Sequence, residues 1–193
     1  MSEDLFIERL KRKDQSAFRD LVEKSGSKVY NTALGILQNP EDAEDISQEV
    51  FIEVYNSISQ FRQDSKLSTW IYRITITKSL EFQKRKNRKK RFAFFQTLIG
   101  LEETIADKDK QFYHPGVQLE NKEQAAILFQ AINKLPENQK SAFILHKLEG
   151  LSYAEIGEVL NLSVSSVESL MFRAKQNLQK WLAGYYGSDE VMR

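Results

Sequence analysis

Few residues in this chain could do covalent or metal chemistry. It has no cysteine and only two histidines, His114 and His146, which lie far apart. Disulfides and thiolate metal sites are therefore excluded, and zinc is not expected. No phosphate-cradling loop or nucleophile elbow occurs. The residues that stand out are charged and come in blocks. "KRKNRKKR", Lys84 to Arg91, is basic at seven of eight positions. "NPEDAEDISQEVFIE", Asn39 to Glu53, is acidic and has no basic residue. The formal net charge of +1 hides this segregation. A basic block suits a phosphate backbone, and an acidic face suits a basic protein partner. Either block also fits an ordinary solvated helix face. A third group, Ser165, Ser166, Glu168, Ser169, Arg173 and Lys175, follows a short turn near the C-terminus.

The elements that must position these groups read as helices. Three prolines and eight glycines in 193 residues are few for a loop-rich or all-β chain. "DLFIERLKR", "DQSAFRDLVEK" and "SKVYNTALGILQ" each carry apolar residues at three- and four-residue spacing. In the acidic segment Asn39 can cap, Pro40 fits the first helical position, and Glu41 and Asp42 sit at the positive end of the helix dipole. Ile46, Val50, Val54 and Ile58 form its apolar stripe, which turns Asp42, Asp45 and Glu49 outward. A metal–carboxylate enzyme would need those acids inward beside a base. "STWIYRITITKSLEFQKRKNRKKR" is ambiguous. Its alternation and β-branched residues suit a strand, whereas a cap at Ser68 or Thr69 and a basic C-terminal end suit a helix. Helix is the better local reading.

From about Phe94 to Asn121 the pattern fades into a linker, "ADKDKQFYHPGVQ" included. Four helices are expected after it. Pro136 opens the second, Gly150 can end it, and Ser152 with Glu155 makes a capping box for the third. Ser163 or Ser165 begins the fourth, and Ser165 with Glu168 is a second possible box. In that last helix Val164, Val167, Met171, Ala174, Leu178 and Leu182 make the buried stripe. Ser165, Ser166, Glu168, Ser169, Phe172, Arg173 and Gln176 mostly point away from it. Ile156, Val159 and Leu160 face the same core. The pair fits a helix-turn-helix whose second helix enters the major groove. A plain helical hairpin has the same spacing. The expected fold class is all-α: two small helical domains joined by a flexible linker, the second a four-helix helix-turn-helix domain. No apolar run approaches a membrane span, and the N-terminus lacks a signal peptide's apolar core, so an intracellular, cytoplasmic location is expected.

"LPENQKSAFILHKLEGLSYAEIGEVLNLSVSSVESLMFRAKQNL" resembles the C-terminal DNA-binding region of sigma-70-type bacterial transcription initiation factors. "NPEDAEDISQEVFIEVY" followed by "FRQDSKLSTWIYRI" and the basic run is similar to their other main region. The ordered pair covers nearly the whole chain. Its short length is similar to the extracytoplasmic-function (ECF) group. The resemblance implies an alternative sigma factor that binds core RNA polymerase and directs promoter-specific initiation. It implies residues 1–93 as region 2, 94–121 as linker and 122–193 as region 4. Asp42, Asp45, Gln48 and Glu49 would dock on the β′ clamp helices, with the β subunit a further contact. Phe61, Arg62, Lys66, Trp70, Tyr72, Arg73, Thr77, Lys78 and Arg85 would read and open the −10 element. Opening costs unstacking energy that aromatic and phosphate contacts must offset. On the residues alone, Trp70 with Ile71 and Ile74 reads better as core. Ser165, Ser166, Glu168, Ser169, Arg173 and Lys175 would read the −35 element, Arg173 foremost. Many relatives are held by an anti-sigma factor, although no residue identifies one here. No cofactor, metal or small-molecule substrate is implied.

This sequence departs from the family wording in two places. After the Trp, the usual "YRIARN…D" is replaced by Ile76, Thr77 and Glu81. In the last helix the basic pair of the "VKSR" type is replaced by Glu168 and Leu170. Fewer positive charges weaken phosphate attraction and change base preference, so no promoter consensus carries over. The rival readings are a helix-turn-helix regulator that never engages polymerase, and an interaction module with a degenerate DNA helix.

Overall fold

A computed structural model describes residues 3–98 and 122–189 of the chain. Among these residues all regular structure is helical. The first half comprises α1 (Glu3–Lys11), α2 (Gln15–Leu37), α3 (Pro40–Ser57), a 3₁₀ turn (Ile58–Gln60) and α4 (Leu67–Leu98). The second comprises α5 (Lys122–Asn133), α6 (Glu137–Lys147), α7 (Tyr153–Leu160) and α8 (Val164–Asp189). No helix among the described residues is long and apolar enough to cross a membrane.

Local chemistry sets most of the boundaries. Asp14 caps α2, accepting from the Ser16 and Ala17 backbone N–H groups. Asn39 caps α3 through the Asp42 N–H, with Pro40 in the first turn. Two expected helices merge, because "SGS" at Ser25–Ser27 lies inside α2 rather than between elements. The "ITIT" segment is helix, and Thr75 satisfies its hydroxyl by donating to Ile71 O at 2.9 Å. Trp70 N donates to Lys66 O, so Ser68 and Thr69 sit within the first turn of α4 rather than capping it. The helix then carries the basic run and continues to Leu98, past the expected linker start. The remainder of the expected linker, including "ADKDKQFYHPGVQ", lies outside the described residues.

The stripe Ile46, Val50, Val54 and Ile58 is fully buried against Leu10, Val29 and Leu34, forming the first core. The second core gathers Phe129, Ile144, Leu145, Ile156, Val159, Val167, Met171 and Ala174. It does not stop at the second half. Ile36 of α2 and Tyr72 and Ile76 of α4 are buried in it as well. Helix α4 therefore has two buried sides, with Ile71 in one core and Tyr72 in the other. A helix covered on two sides shows little amphipathic periodicity, which is why its sequence suggested a strand equally well. Val164, expected in the buried stripe of α8, is instead exposed at the mouth of the turn.

Lys140 of α6 is 3% exposed, close to α4. Its ammonium donates to Gln83 Oε1 at 3.2 Å and to Asn133 Oδ1 at 2.9 Å. Burial pulls its pKa down from 10.5 to about 8, against the weaker opposing pull of Glu137. A depressed lysine pKa means that the unfolded chain holds the extra proton between those values. Stability should therefore rise as pH goes from about 8 toward 10.5. Urea unfolding at pH 7.5 and 9.5 should show this rise. Lys140→Met should abolish it and gain about 1–3 kcal/mol at pH 7.5, by removing a buried charge.

Candidate nucleic-acid interface

The helix-turn-helix is built by two short-range devices. Ser152 and Glu155 form a reciprocal capping box, with Glu155 N to Ser152 Oγ at 3.3 Å and Ser152 N to Glu155 Oε2 at 3.0 Å. The Ser152 backbone N–H is also the main reason the Glu155 carboxyl titrates below its usual range. At the other end Asn161 adopts the left-handed conformation with φ 56°, and Leu162 N donates to Gly157 O at 2.8 Å. The turn closes so tightly that a β-carbon on Gly157 would lie 2.7 Å from Leu162 O. Ser163 caps α8 by accepting from Ser166 N at 3.2 Å, so the expected Ser165–Glu168 box is not the cap.

Helix α8 buries Val167, Met171, Ala174 and Leu178. Ser165, Glu168, Ser169, Arg173 and Lys175 are exposed along its outer side, as expected. Ser166 is half-buried, its hydroxyl within 2.8 Å of the capping Ser163. Phe172 was absent from the expected contact set. It is 63% exposed and lies on the same face, three residues beyond Ser169. An exposed aromatic there can meet a thymine methyl, which a serine cannot do as well. The sequence signal was an aromatic between Met171 and Arg173, off the buried stripe.

The acidic helix is less uniform than its sequence. Asp42 is half-buried and paired with Lys86 of the basic run at 2.5 Å. Glu53 pairs with Lys78 at 3.4 Å. Asp45, Gln48 and Glu49 remain exposed on one face, and Ile52, 61% exposed, continues it. A rim of carboxylates around an exposed aliphatic side chain suits a basic helical partner.

The third set divides. Phe61 is buried and lies 5.1 Å ring to ring from half-buried Trp70, so both serve the first core. Arg62, Thr77 and Arg85 are exposed, Arg85 lying 5.2 Å from the Phe82 ring. Lys66, Tyr72 and Arg73 all turn toward the second half. Lys66 reaches Glu155 at 3.5 Å. Tyr72 donates its hydroxyl to Glu149 Oε2 at 2.9 Å. Arg73 donates to Glu158 O at 2.6 Å and Val159 O at 3.3 Å. Burial, followed by the neighbouring carboxylate, drives the Tyr72 phenol well above its usual range. The Glu149 carboxyl is likewise raised by burial, opposed by the Tyr72 and Thr32 hydroxyls and the Lys28 charge.

The sequence matches two family models in chain order: "Sigma-70 region 2" over residues 21–89 and "Sigma-70, region 4" over residues 125–178. It is 33% identical to the ECF RNA polymerase sigma-E factor of Haemophilus influenzae over 192 residues, covering 93% of this chain and 94% of the relative. It is 33% identical to the ECF RNA polymerase sigma factor SigW of Bacillus subtilis, covering 91% and 94%. Identity to the RNA polymerase sigma-H factor of Pseudomonas aeruginosa is 31%, covering 91% of each. Among solved structures, CnrH in complex with the cytosolic domain of CnrY matches with a TM-score of 0.66 at 20% identity, covering 93% of this chain and 96% of that one. RpoE from Bartonella quintana, in complex with the anti-sigma factor NepR, matches at 0.62 and 19%, covering 86% and 96%. These two likenesses extend to the fold.

Gly157 offers a direct check on the turn. Helix propensity alone favours alanine over glycine by about 1 kcal/mol. Here the added methyl would press on Leu162 O, a backbone carbonyl of the turn. Gly157→Ala should therefore destabilise the chain by about 1–3 kcal/mol, read as a lower urea midpoint with an unchanged slope.

Proposed function

The chain belongs to the sigma-70 family, in its ECF group of RNA polymerase sigma factors, and we propose that it works through three surfaces on two domains. It binds core RNA polymerase and directs promoter-specific transcription initiation. It is a transcription initiation factor, and we read it as non-catalytic, with polymerase supplying the chemistry. A cytoplasmic location follows from that partner. We place region 2 at residues 1–93 and region 4 at 122–193, with 94–121 between them, although α4 itself runs on to Leu98.

The polymerase surface is the outer face of α3. Asp45, Gln48 and Glu49 supply negative and polar contacts to the β′ clamp helices, and Ile52 supplies an apolar centre. Asp42 takes a smaller part because Lys86 already neutralises it. The −35 surface is the start of α8: Ser165, Glu168, Ser169 and Arg173 at base edges, with Phe172 added, and Lys175 on phosphate. The −10 surface comprises Arg62, Lys66, Arg73, Thr77 and Lys78, with Arg85 on the duplex backbone, while Tyr72 is buried in the second core. Phe61 and Trp70 act there by holding the loop before α4 rather than by stacking on bases. An anti-sigma protein is a further partner in this reading, as it is for the sigma factor RpoE of Bartonella quintana.

The observation that carries this reading is the ordered pair of regions, each with outward side chains of the required chemistry. The deciding experiment adds purified chain to core polymerase on genomic template and maps transcript starts. Discrete new starts support the reading. A chain that neither binds core nor creates starts would return it to the simple regulators. Asp45→Lys with Glu49→Lys should weaken core binding by about tenfold or more, since like charge replaces attraction. Arg173→Ala should cost about 1–3 kcal/mol at promoters that depend on the upstream element, measured as relative initiation against wild type on the same template.

A further inference from the structure

The serines that open α8 are engaged with the helix itself. Ser163 Oγ lies 3.1 Å from Ser165 Oγ and 2.8 Å from Ser166 Oγ, and Ser169 Oγ donates to Ser165 O at 3.0 Å. Being short, these side chains also leave room around Glu168. Glu168 differs from them. It is exposed, and it makes no hydrogen bond or ion pair among the described residues. The helix does not need its charge. Ser163 supplies the cap, and the neighbours three and four positions away are Val164, Ser165, Met171 and Phe172, none of them basic. Glu168 is the fifth residue of α8, past the first turn in which the helix dipole favours a carboxylate.

A lone carboxylate on this face has a sharp consequence in a DNA groove. Phosphates on either side repel it, and contact with base edges strips its water. It only accepts hydrogen bonds, so a donor must replace that water. In the major groove guanine presents N7 and O6, both acceptors, and thymine presents the acceptor O4 and a methyl group. Adenine has an amino group beside the acceptor N7, and cytosine has the N4 amino group. Cytosine is the one base whose edge offers the carboxylate a donor with no acceptor alongside. Guanine and thymine leave the charge desolvated and unpaired, which is a penalty and not merely a missing attraction.

We propose that Glu168 selects a cytosine within the upstream element and excludes guanine and thymine from that position. The proposal rests on the −35 assignment above and adds which base is chosen and which side chain chooses it. Arg173 and Lys175, both exposed, attract any duplex. Glu168 offsets part of that attraction at every sequence except one that meets it with a donor. The carboxylate thereby converts general affinity into discrimination.

The test runs the full-length chain with core polymerase on a template library. The −10 sequence of a mapped promoter is kept, the upstream element is randomised, and the transcripts are sequenced. Wild type should favour cytosine over guanine and thymine by about tenfold at one position. Glu168→Gln should move that preference to adenine, because an amide pairs with N6 and N7 together. Glu168→Arg should move it to guanine. Glu168→Ala should flatten it while the other positions keep theirs. Each variant should retain the wild-type urea midpoint, since Glu168 makes no bond within the described chain. Identical base preferences in wild type and the three variants would overturn the proposal, as would a change spread evenly over all positions. Should wild type fail to initiate, that failure counts against the sigma-factor reading alone. Glu168 is then judged by selecting random duplexes with the free full-length chain at low salt. A cytosine preference that Glu168→Gln abolishes upholds the proposal. Equal enrichment by the two proteins, or none by either, overturns it.

Discussion

Helix α4 is buried on two sides at once, and the arrangement of both halves follows from that. One side closes the core built by α2 and α3, and the other places Tyr72 and Ile76 in the core of the helix-turn-helix. A helix in that position cannot be polar on most of its surface, so its early turns carry Ile, Thr and aromatic residues. The buried Thr75 hydroxyl bonds locally to Ile71 O, whereas the buried Ser79 hydroxyl has no partner among the described residues. The charged residues are pushed to the far end, where α4 leaves both cores. The basic run is thus where packing no longer needs apolar side chains.

Charge along the chain is settled by pairing as well as by exposure. Lys78 and Lys86 of α4 meet Glu53 and Asp42 of α3, and Lys84 meets Glu137 of α6. The acidic and basic blocks meet through Asp42 and Lys86. Exposed beyond these pairs are the outer face of α3 around Ile52, and Arg85, Arg88 and Lys89 on α4. Any long-range electrostatic attraction these exposed charges exert has a reach set by the Debye length of about 8–10 Å.

Where a residue's neighbours are close in sequence, its role was legible. The capping box at Ser152, the stripe of α3 and the recognition-helix stripe from Val167 to Leu178 all depend on spacing within one helix or turn. The order of the two regions was equally plain. What could not be read depends on contacts far apart in the chain. Phe61 and Tyr72 look like exposed aromatics for DNA until their partners, Trp70 and Glu149, are placed. Asp42 looks like a free acid until Lys86, 44 residues away, folds back onto it. Gly35 carries no local signal, because its reason lies in Ile144 and Leu148. Phe172 was visible but looked like one more outward position, since exposure alone does not distinguish a reader from a bystander.

The seam between the halves is held unevenly, and the inequality bears on what could part it. Lys66 with Glu155 and Lys84 with Glu137 are exposed pairs, each worth about 0–1 kcal/mol and screened by salt. The Tyr72–Glu149 hydrogen bond is better protected, but a net contribution of about 0.5–1.5 kcal/mol is typical, and more only with a charged acceptor. Burying Ile36, Ile76 and the Tyr72 ring contributes more, about 1.5–3 kcal/mol for each fully buried aliphatic side chain. Packing therefore dominates, and salt alone will not open the seam. An agent that separates the halves has to offer new apolar surface as well as charge. Exposed Ile52 amid the α3 carboxylates and exposed Phe172 amid the α8 serines fit that requirement, because each pairs an apolar group with polar neighbours on a face the seam leaves uncovered. Engagement at both faces by one rigid body would fix their separation, and the seam would survive only if that separation matched its own.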